Sequence, residues 1–210
     1  MTPLVKICGL MTPEALDAAL DAGADMVGFV FFPPSPRNLA FETARTLGAR
    51  VRGRALKVAL TVDADDMTFD ALVEALRPDL LQLHGRETPE RIAELKRKFG
   101  LPVMKAIGVS SAEDLAAIAR YEPVVDRILF DAKPPKDATR PGGNGLAFDW
   151  ELIAGAKIAR PWMLSGGLDA SNVAEAIRVS GAPGVDVSSG VESAPGVKDV
   201  ARIADFCARV

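Results

Sequence analysis

Leu4-Val5-Lys6-Ile7-Cys8-Gly9, followed by Thr12-Pro13-Glu14 and closed by Gly23, decides the fold. The apolar run reads as a strand. Thr12 can accept a hydrogen bond from the free N–H groups of a helix start. Pro13 fits a first turn, where its missing N–H costs nothing, and Glu14 sets negative charge at the positive end of the helix dipole. Gly23 supplies the left-handed residue on which helices stop. Residues 4–23 therefore form one strand–helix unit.

The same unit recurs outward along the chain. Strands are predicted at Leu4–Cys8, Met26–Phe31, Leu56–Thr61, Leu80–His84, Val103–Ile107, Arg127–Asp131, Trp162–Ser165 and Gly184–Ser188, each followed by helical signals. Thr88-Pro89-Glu90 repeats the capping device, with Ile92 and Leu95 spaced for one buried face. Ser111 caps a helix carrying Leu115 and Ile118, and the last helix sets Val200, Ile203, Ala204 and Cys207 on one stripe. Eight strands alternating with eight helices imply parallel βα units. A doubly wound open sheet has the same rhythm, but eight near-regular units in 210 residues fit a closed α/β structure better. The expectation is a single (β/α)8 TIM barrel, one domain over residues 1–210 with no linker.

Composition narrows the class. The chain is 49% hydrophobic and 25% charged, an ordinary globular balance, and its formal net charge is −3. That excludes a broad basic face, so no nucleic-acid partner is expected, and an anionic ligand must be held by a local cluster. Cys8 and Cys207 are too few for a disulfide scaffold, which points to a reducing compartment. The N-terminal residues lack the pattern of a signal peptide and no apolar stretch spans a bilayer, so a cytoplasmic protein with no membrane partner is expected.

Strand side chains alternate in direction. If Val5, Ile7, Leu81, Leu83, Ile128, Phe130, Val185 and Val187 pack under helices, then Lys6, Gln82, Arg127 and Asp186 point into the barrel at a deeper level. Cys8, His84 and Asp131 end their strands and ring the mouth, where barrel enzymes work. The deep group reads as a structural polar network, because buried charges need partners. Cys8 alone reads equally as a small buried hydrophobe or as a reactive thiol. Asp131, directly after Ile128-Leu129-Phe130, cannot be a solvated surface charge in a barrel. His84, the only histidine, divides between substrate contact and structure, and with no second ligand set it gives no metal site.

Two connections at strand C-termini are long: Phe32–Asn38 and Ala132–Gly145. Arg37 lies in the first, stiffened by Pro33, Pro34 and Pro36, and its guanidinium suits a carboxylate. Ser165-Gly166-Gly167-Leu168 follows the seventh strand and Ser188-Ser189-Gly190-Val191-Glu192 the eighth. These are the two places where many barrels bind phosphate on loop amides, and glycine allows the anion close. Gly166, Gly167, Ser189 and Gly190 are the candidate phosphate site.

Lys6-Ile7-Cys8-Gly9, Gly28-Phe29-Val30-Phe31, Ser35-Pro36-Arg37, Gln82-Leu83-His84-Gly85, Gly142-Gly143-Asn144-Gly145 with Phe148-Asp149-Trp150, Ser165-Gly166-Gly167-Leu168 and Val187-Ser188-Ser189-Gly190-Val191-Glu192, taken in order, resemble the phosphoribosylanthranilate isomerase family of tryptophan biosynthesis. The motifs run from residue 6 to Lys198-Asp199. The resemblance implies a cofactor-free Amadori rearrangement of a small-molecule substrate, a phosphorylated ribose carrying anthranilate, by a monomer or homodimer. It implies Cys8 as general base and Asp131 as general acid. Arg37 would bind the anthranilate carboxylate, the glycine loops the phosphate, and His84, Gly142, Gly143 and Asn144 the rest of the substrate. The sequence departs from the family at Asn144, where threonine is usual, and at Asp169-Ala170-Ser171-Asn172, where a proline is common. Ser171 or Asp169 is expected to cap the helix that follows. Two rivals stand beside this reading. The related isomerase of histidine biosynthesis has an aspartate at the Cys8 position. A catalytically silent sugar-phosphate binder would have no need of a rim acid and a rim thiol together.

Overall fold

The eight apolar runs pair in chain order and close on themselves in a computed structural model, which describes residues 2–133, 142, 145 and 147–210. The barrel strands are β1 (Leu4–Cys8), β2 (Met26–Phe31), β3 (Leu56–Thr61), β4 (Leu80–Leu83), β5 (Val103–Val109), β6 (Arg127–Ala132), β7 (Trp162–Leu164) and β8 (Gly184–Val187), all parallel. Closure is made by β8 against β1, in a register that sets Asp186 beside Lys6 and Val187 beside Ile7. The alternation predicted from sequence holds. Val5, Ile7, Leu81, Leu83, Ile128, Phe130, Val185 and Val187 belong to one apolar cluster with helix residues such as Leu16, Ile92 and Phe206.

Several helices start on the caps their sequence predicts. α1 (Pro13–Asp21) starts with the Thr12 side chain accepting the Ala15 N–H. α2 is Phe41–Val51 and α3 is Asp66–Leu76. α4 (Pro89–Phe99) starts with Thr88 accepting the Arg91 N–H and stops on Gly100 at φ +64°. After β5 a 3-10 turn, Ala112–Ala116, runs into the short α5 (Ala117–Tyr121), and the Asp114 carboxylate accepts the Ser111 N–H. α6 is Val173–Ser180 and α7 is Val200–Ala208.

Three expectations need correction. Among the described residues the sixth strand is followed by a 3-10 turn, Trp150–Leu152, and not by an α-helix. In α7 the buried stripe is Ile203 and Phe206, with Cys207 half-buried, while Val200 and Ala204 are exposed. Phe206 has the largest apolar area on that helix and turns its own side inward. Neither Ser171 nor Asp169 is the α6 cap: that position is Asn172, whose amide donates instead to the Gly167 carbonyl at 2.8 Å.

The barrel interior is filled in layers. Met26, Val58, Leu80, Met104, Leu129 and Met163 plug the lower part. Cys8, Val30 and Leu60 form the layer above, beneath Phe32 and Val62. A hairpin of β9 (Glu192–Ala194) and β10 (Val197–Lys198) follows β8 at the mouth. No helix of the described residues is long and apolar enough to cross a membrane.

Candidate active site

A cleft open to solvent lies at the C-terminal ends of the strands. Cys8, Arg37, His84, Asp131, Gly142, Gly166, Gly167 and Ser189 all line it. Gly190 does not. Its place is explained by packing: a side chain there would meet the Leu168 carbonyl oxygen at 1.9 Å, so glycine lets the loops after β7 and β8 lie against each other. Gly143 and Asn144 lie outside the described residues.

Cys8 ends β1 and is buried. Its surroundings come from strands distant in sequence. The Lys6 ammonium, fully buried two residues earlier, is paired with Asp186 Oδ1 at 2.8 Å. Gly28 lies opposite Cys8 on β2. A side chain at Gly28 would begin 2.8 Å from Cys8 Sγ and 3.1 Å from Lys6 Nζ, so only glycine leaves room for both. Burial pushes the Cys8 thiol above its ordinary range, while Lys6 beside it acts the other way. Burial also opposes the charge on Lys6, yet Asp186 and the Cys8 sulfur outweigh it and hold the ammonium above its usual value. The deep group is thus no uniform network. Asp186 itself lines the cleft with Lys6 bonded behind it, Gln82 bonds His84, and Arg127 stands half-buried at the start of β6.

Arg37 is buried beside this pair. The Ser35 hydroxyl accepts its backbone N–H, and the Asn38 side chain pins the loop by accepting the Phe32 N–H at 2.8 Å. Its guanidinium donates twice to Glu192, Nε to Oε1 at 2.6 Å and Nη2 to Oε2 at 2.8 Å. Lys198 donates to the same carboxylate at 2.7 Å and to the Ser188 carbonyl at 2.8 Å. Burial opposes the Glu192 charge, but Arg37 and Lys198 prevail and keep its carboxyl below the usual range. A guanidinium has five N–H donors, so the Nη1 side of Arg37 remains for a second carboxylate. Gly9 gives Arg37 its place, since a side chain there would stand 2.6 Å from Arg37 Cδ. Sequence reasoning missed Glu192 and Lys198. Their acid–base spacing around Gly196 was the available signal.

The opposite wall is made by β4 and β6. Asp131 is buried; its Oδ1 accepts the Ala132 N–H at 2.9 Å and its Oδ2 lies 3.1 Å from His84 Nε2. The Gln82 amide donates toward His84 Nδ1 at 3.2 Å. With the amide so oriented, Nδ1 accepts and the ring proton sits on Nε2, aimed at the carboxylate. Gly142 and Gly166 press against this acid: side chains there would begin 2.6 Å from Asp131 Oδ2 and 3.0 Å from Oδ1 respectively. Gly166 and Gly167 take φ +91° and +63°, which few other residues adopt. Among the described residues no group of three or more His, Cys, Asp or Glu is arranged to hold a metal ion.

The family model described as N-(5'phosphoribosyl)anthranilate (PRA) isomerase matches residues 5–209. The N-(5'-phosphoribosyl)anthranilate isomerase of Bradyrhizobium sp. (strain ORS 278) is 66% identical over 206 residues, covering 98% of this chain and 94% of that protein. The crystal structure of phosphoribosyl anthranilate isomerase from Thermotoga maritima is similar with TM-score 0.85 and 36% identity, covering 98% of this chain and 97% of that one. A crystal structure of such an isomerase in complex with reduced 1-(o-carboxyphenylamino)-1-deoxyribulose 5-phosphate matches with TM-score 0.80 and 34% identity, over 98% of this chain and 97% of that one.

Proposed function

The chain belongs to the N-(5'-phosphoribosyl)anthranilate isomerase family, and from that premise we propose which of its groups carry the reaction. It isomerises N-(5'-phosphoribosyl)anthranilate to 1-(2-carboxyphenylamino)-1-deoxyribulose 5-phosphate, in tryptophan biosynthesis. Asp131 is the general acid. Its proton goes to the ribose ring oxygen, the C1–O bond breaks, and the nitrogen lone pair closes a C1=N iminium. Cys8, as thiolate, is the general base. It takes the proton from C2, the C2–H electron pair becomes a C1=C2 bond, and the iminium π pair returns to nitrogen. The enolamine then loses its hydroxyl proton, gains one at C1 and becomes the ketone. Asp131 regains its proton and Cys8 gives one up, so atoms and charge balance with no cofactor. The positive iminium acidifies the C2 proton, which is why a thiolate suffices as base.

The observation that carries this reading is placement. Cys8 ends β1 and Asp131 stands next to the end of β6, three strands away around the eight-stranded barrel, and both line one cleft. Arg37 holds the anthranilate carboxylate through its Nη1 side while Glu192 fixes the other edge. The amides of Gly166, Gly167 and Ser189 hold the phosphate, with Gly190 packing the loop behind them, and His84 with the loop through Gly142, Gly143 and Asn144 completes the substrate contacts. We assign residues 1–210 to one domain that acts in the cytoplasm as a monomer or homodimer; sedimentation of the purified protein fixes which. Turnover by Cys8→Ala and Asp131→Asn tests the catalytic pair. A wild-type rate in either folded variant removes that residue from its role.

A further inference from the structure

We propose that Lys6 is a positioning residue for the base: Asp186 holds its ammonium against the Cys8 sulfur, where it stabilises the thiolate that removes the C2 proton. The inference rests on the reading of Cys8 as base.

The geometry gives Lys6 two neighbours inside the barrel. Asp186 is set beside it by the β1–β8 register and accepts one of its hydrogen bonds at 2.8 Å. An ammonium has three N–H donors, so this one bond does not satisfy it. Cys8 is the second neighbour, because Sγ and Nζ converge on the same bare face of Gly28, within 2.8 and 3.1 Å of where a side chain would begin. A buried ion pair is weak support for stability, since apolar residues of the same volume usually do as well. An ammonium placed against a sulfur does something apolar residues cannot do, which is to favour the charged form of that sulfur.

Other charges surround Cys8, and their bonding sets them apart from Lys6. Lys198, from β10, spends its donors on Glu192 and on Ser188 carbonyl and hydroxyl oxygens. Arg37, from the loop after β2, is held two-pronged by Glu192. Asp131 and His84 face the cleft from the opposite wall and bond each other. Asp186, on β8, is the anion near the sulfur, and it disfavours a thiolate. Lys6 and Asp186 therefore act on Cys8 with opposite signs.

The test reads Cys8 directly. In a Cys207→Ser background, the rate of iodoacetamide labelling at Cys8 is followed against pH. Lys6→Met is expected to raise the labelling midpoint by about one pH unit, and Asp186→Asn to lower it. Circular dichroism establishes that each variant is folded. Should Lys6→Met fail to fold, the double variant Lys6→Met/Asp186→Leu leaves no buried charge unpaired, and its midpoint is still expected above the parent's, because Lys6 Nζ shares the bare face of Gly28 with the sulfur and acts on it more strongly than Asp186 does. A midpoint unmoved by either substitution, or moved the same way by both, overturns the proposal, as does an unmoved or lowered midpoint in the double variant. The readout does not use turnover. An active Cys8→Ala enzyme would thus dismiss the base assignment and leave the Lys6 result standing on its own.

Discussion

The two walls of the cleft are built on different principles. The β1–β8 wall is a lattice of full charges: Lys6 with Asp186, and Arg37 and Lys198 sharing Glu192, nearly all of it buried. The β4–β6 wall has one carboxylate, Asp131, whose partners are an imidazole nitrogen and a backbone N–H, with an amide behind them. The first wall has three cations to two anions before Cys8 is counted, so it is suited to a thiolate and to a ligand carboxylate. On the second wall no lysine or arginine bonds Asp131 among the described residues. One wall gathers paired charges, and the other holds a single carboxylate between an imidazole and a backbone N–H. The origins differ as well. Lys6 and Asp186 are 180 residues apart and Arg37 and Glu192 are 155 apart, so the base wall exists only once the barrel has closed.

The acid wall should break first. Asp131→Asn keeps the shape and the contact with His84 but removes the transferable proton. We expect kcat to fall by roughly 10²–10⁴-fold with KM little changed. Cys8→Ala should cost about 10²-fold or more while leaving the fold intact. The comparison sharpens with a substrate analogue already in the open-chain form. If Asp131 serves ring opening as proposed, it should relieve Asp131→Asn and do nothing for Cys8→Ala. Equal relief of both variants would mean that the two walls do not divide the proton transfers as described.

The lattice of charges predicts a graded loss in binding. Arg37→Ala removes a charge-assisted contact of about 1.5–3 kcal/mol, so KM should rise roughly 10–100-fold with a smaller change in kcat. Glu192→Gln leaves Arg37 and Lys198 as neighbouring cations without their shared anion, and KM should rise several-fold. The same variant carries a pH signature. Glu192 has a folded-state value below its unfolded one, so its contribution to stability is present above the unfolded value, about 4.3, and is lost as pH falls through the depressed one. Unfolding midpoints of Glu192→Gln should converge with the parent's on acidification. A constant gap between the two would show that the carboxylate's charge is not what Arg37 and Lys198 hold.

The acid wall was also the more legible in sequence. Asp131 and His84 are placed by counting alternate residues along their own strands, and period-two patterning survives any fold that keeps the strands. The strand bounds went astray only at the ends: His84, Ser165 and Ser188 lie just past their strands, β5 runs on to Val109 and β6 to Ala132. Lys6 and Asp186 were equally well aimed inward, but their contact with Cys8 depends on β1 and β2 standing side by side with Gly28 between them, which no local pattern encodes. Glu192 was invisible as the partner of Arg37, and Lys198 as the second cation on that carboxylate, for the same reason. The stripe of α7 was misphased because Val200 and Ala204 share their spacing with Ile203, and only packing shows that Phe206 outweighs them.

The smallest effect concerns the outer edge of the acid wall. Lys133 follows β6, lines the cleft and is bonded by Asp114 at 2.8 Å. It is a cation at the mouth that this reading leaves out of catalysis, its charge already answered by Asp114. The Asp114 carboxyl is lowered to about 2, first by the Lys133 hydrogen bond and then, against burial, by the Ser110 N–H and hydroxyl. Its folded value lies below the unfolded one, so its contribution is present above the unfolded value, about 3.9, and is lost as pH falls toward about 2. Lys133 is half-exposed, at 53% for its side chain, so solvent screens the pair and about 1 kcal/mol or less is expected from it. Asp114→Asn should therefore lower stability slightly at neutral pH, match the parent near the bottom of that window, and leave kcat and KM within about two-fold. If KM instead falls several-fold, Lys133 released from Asp114 has become a ligand for the substrate's phosphate or carboxylate. The cationic set at the mouth would then extend across both walls, and the division drawn between them would have to be redrawn around Lys133.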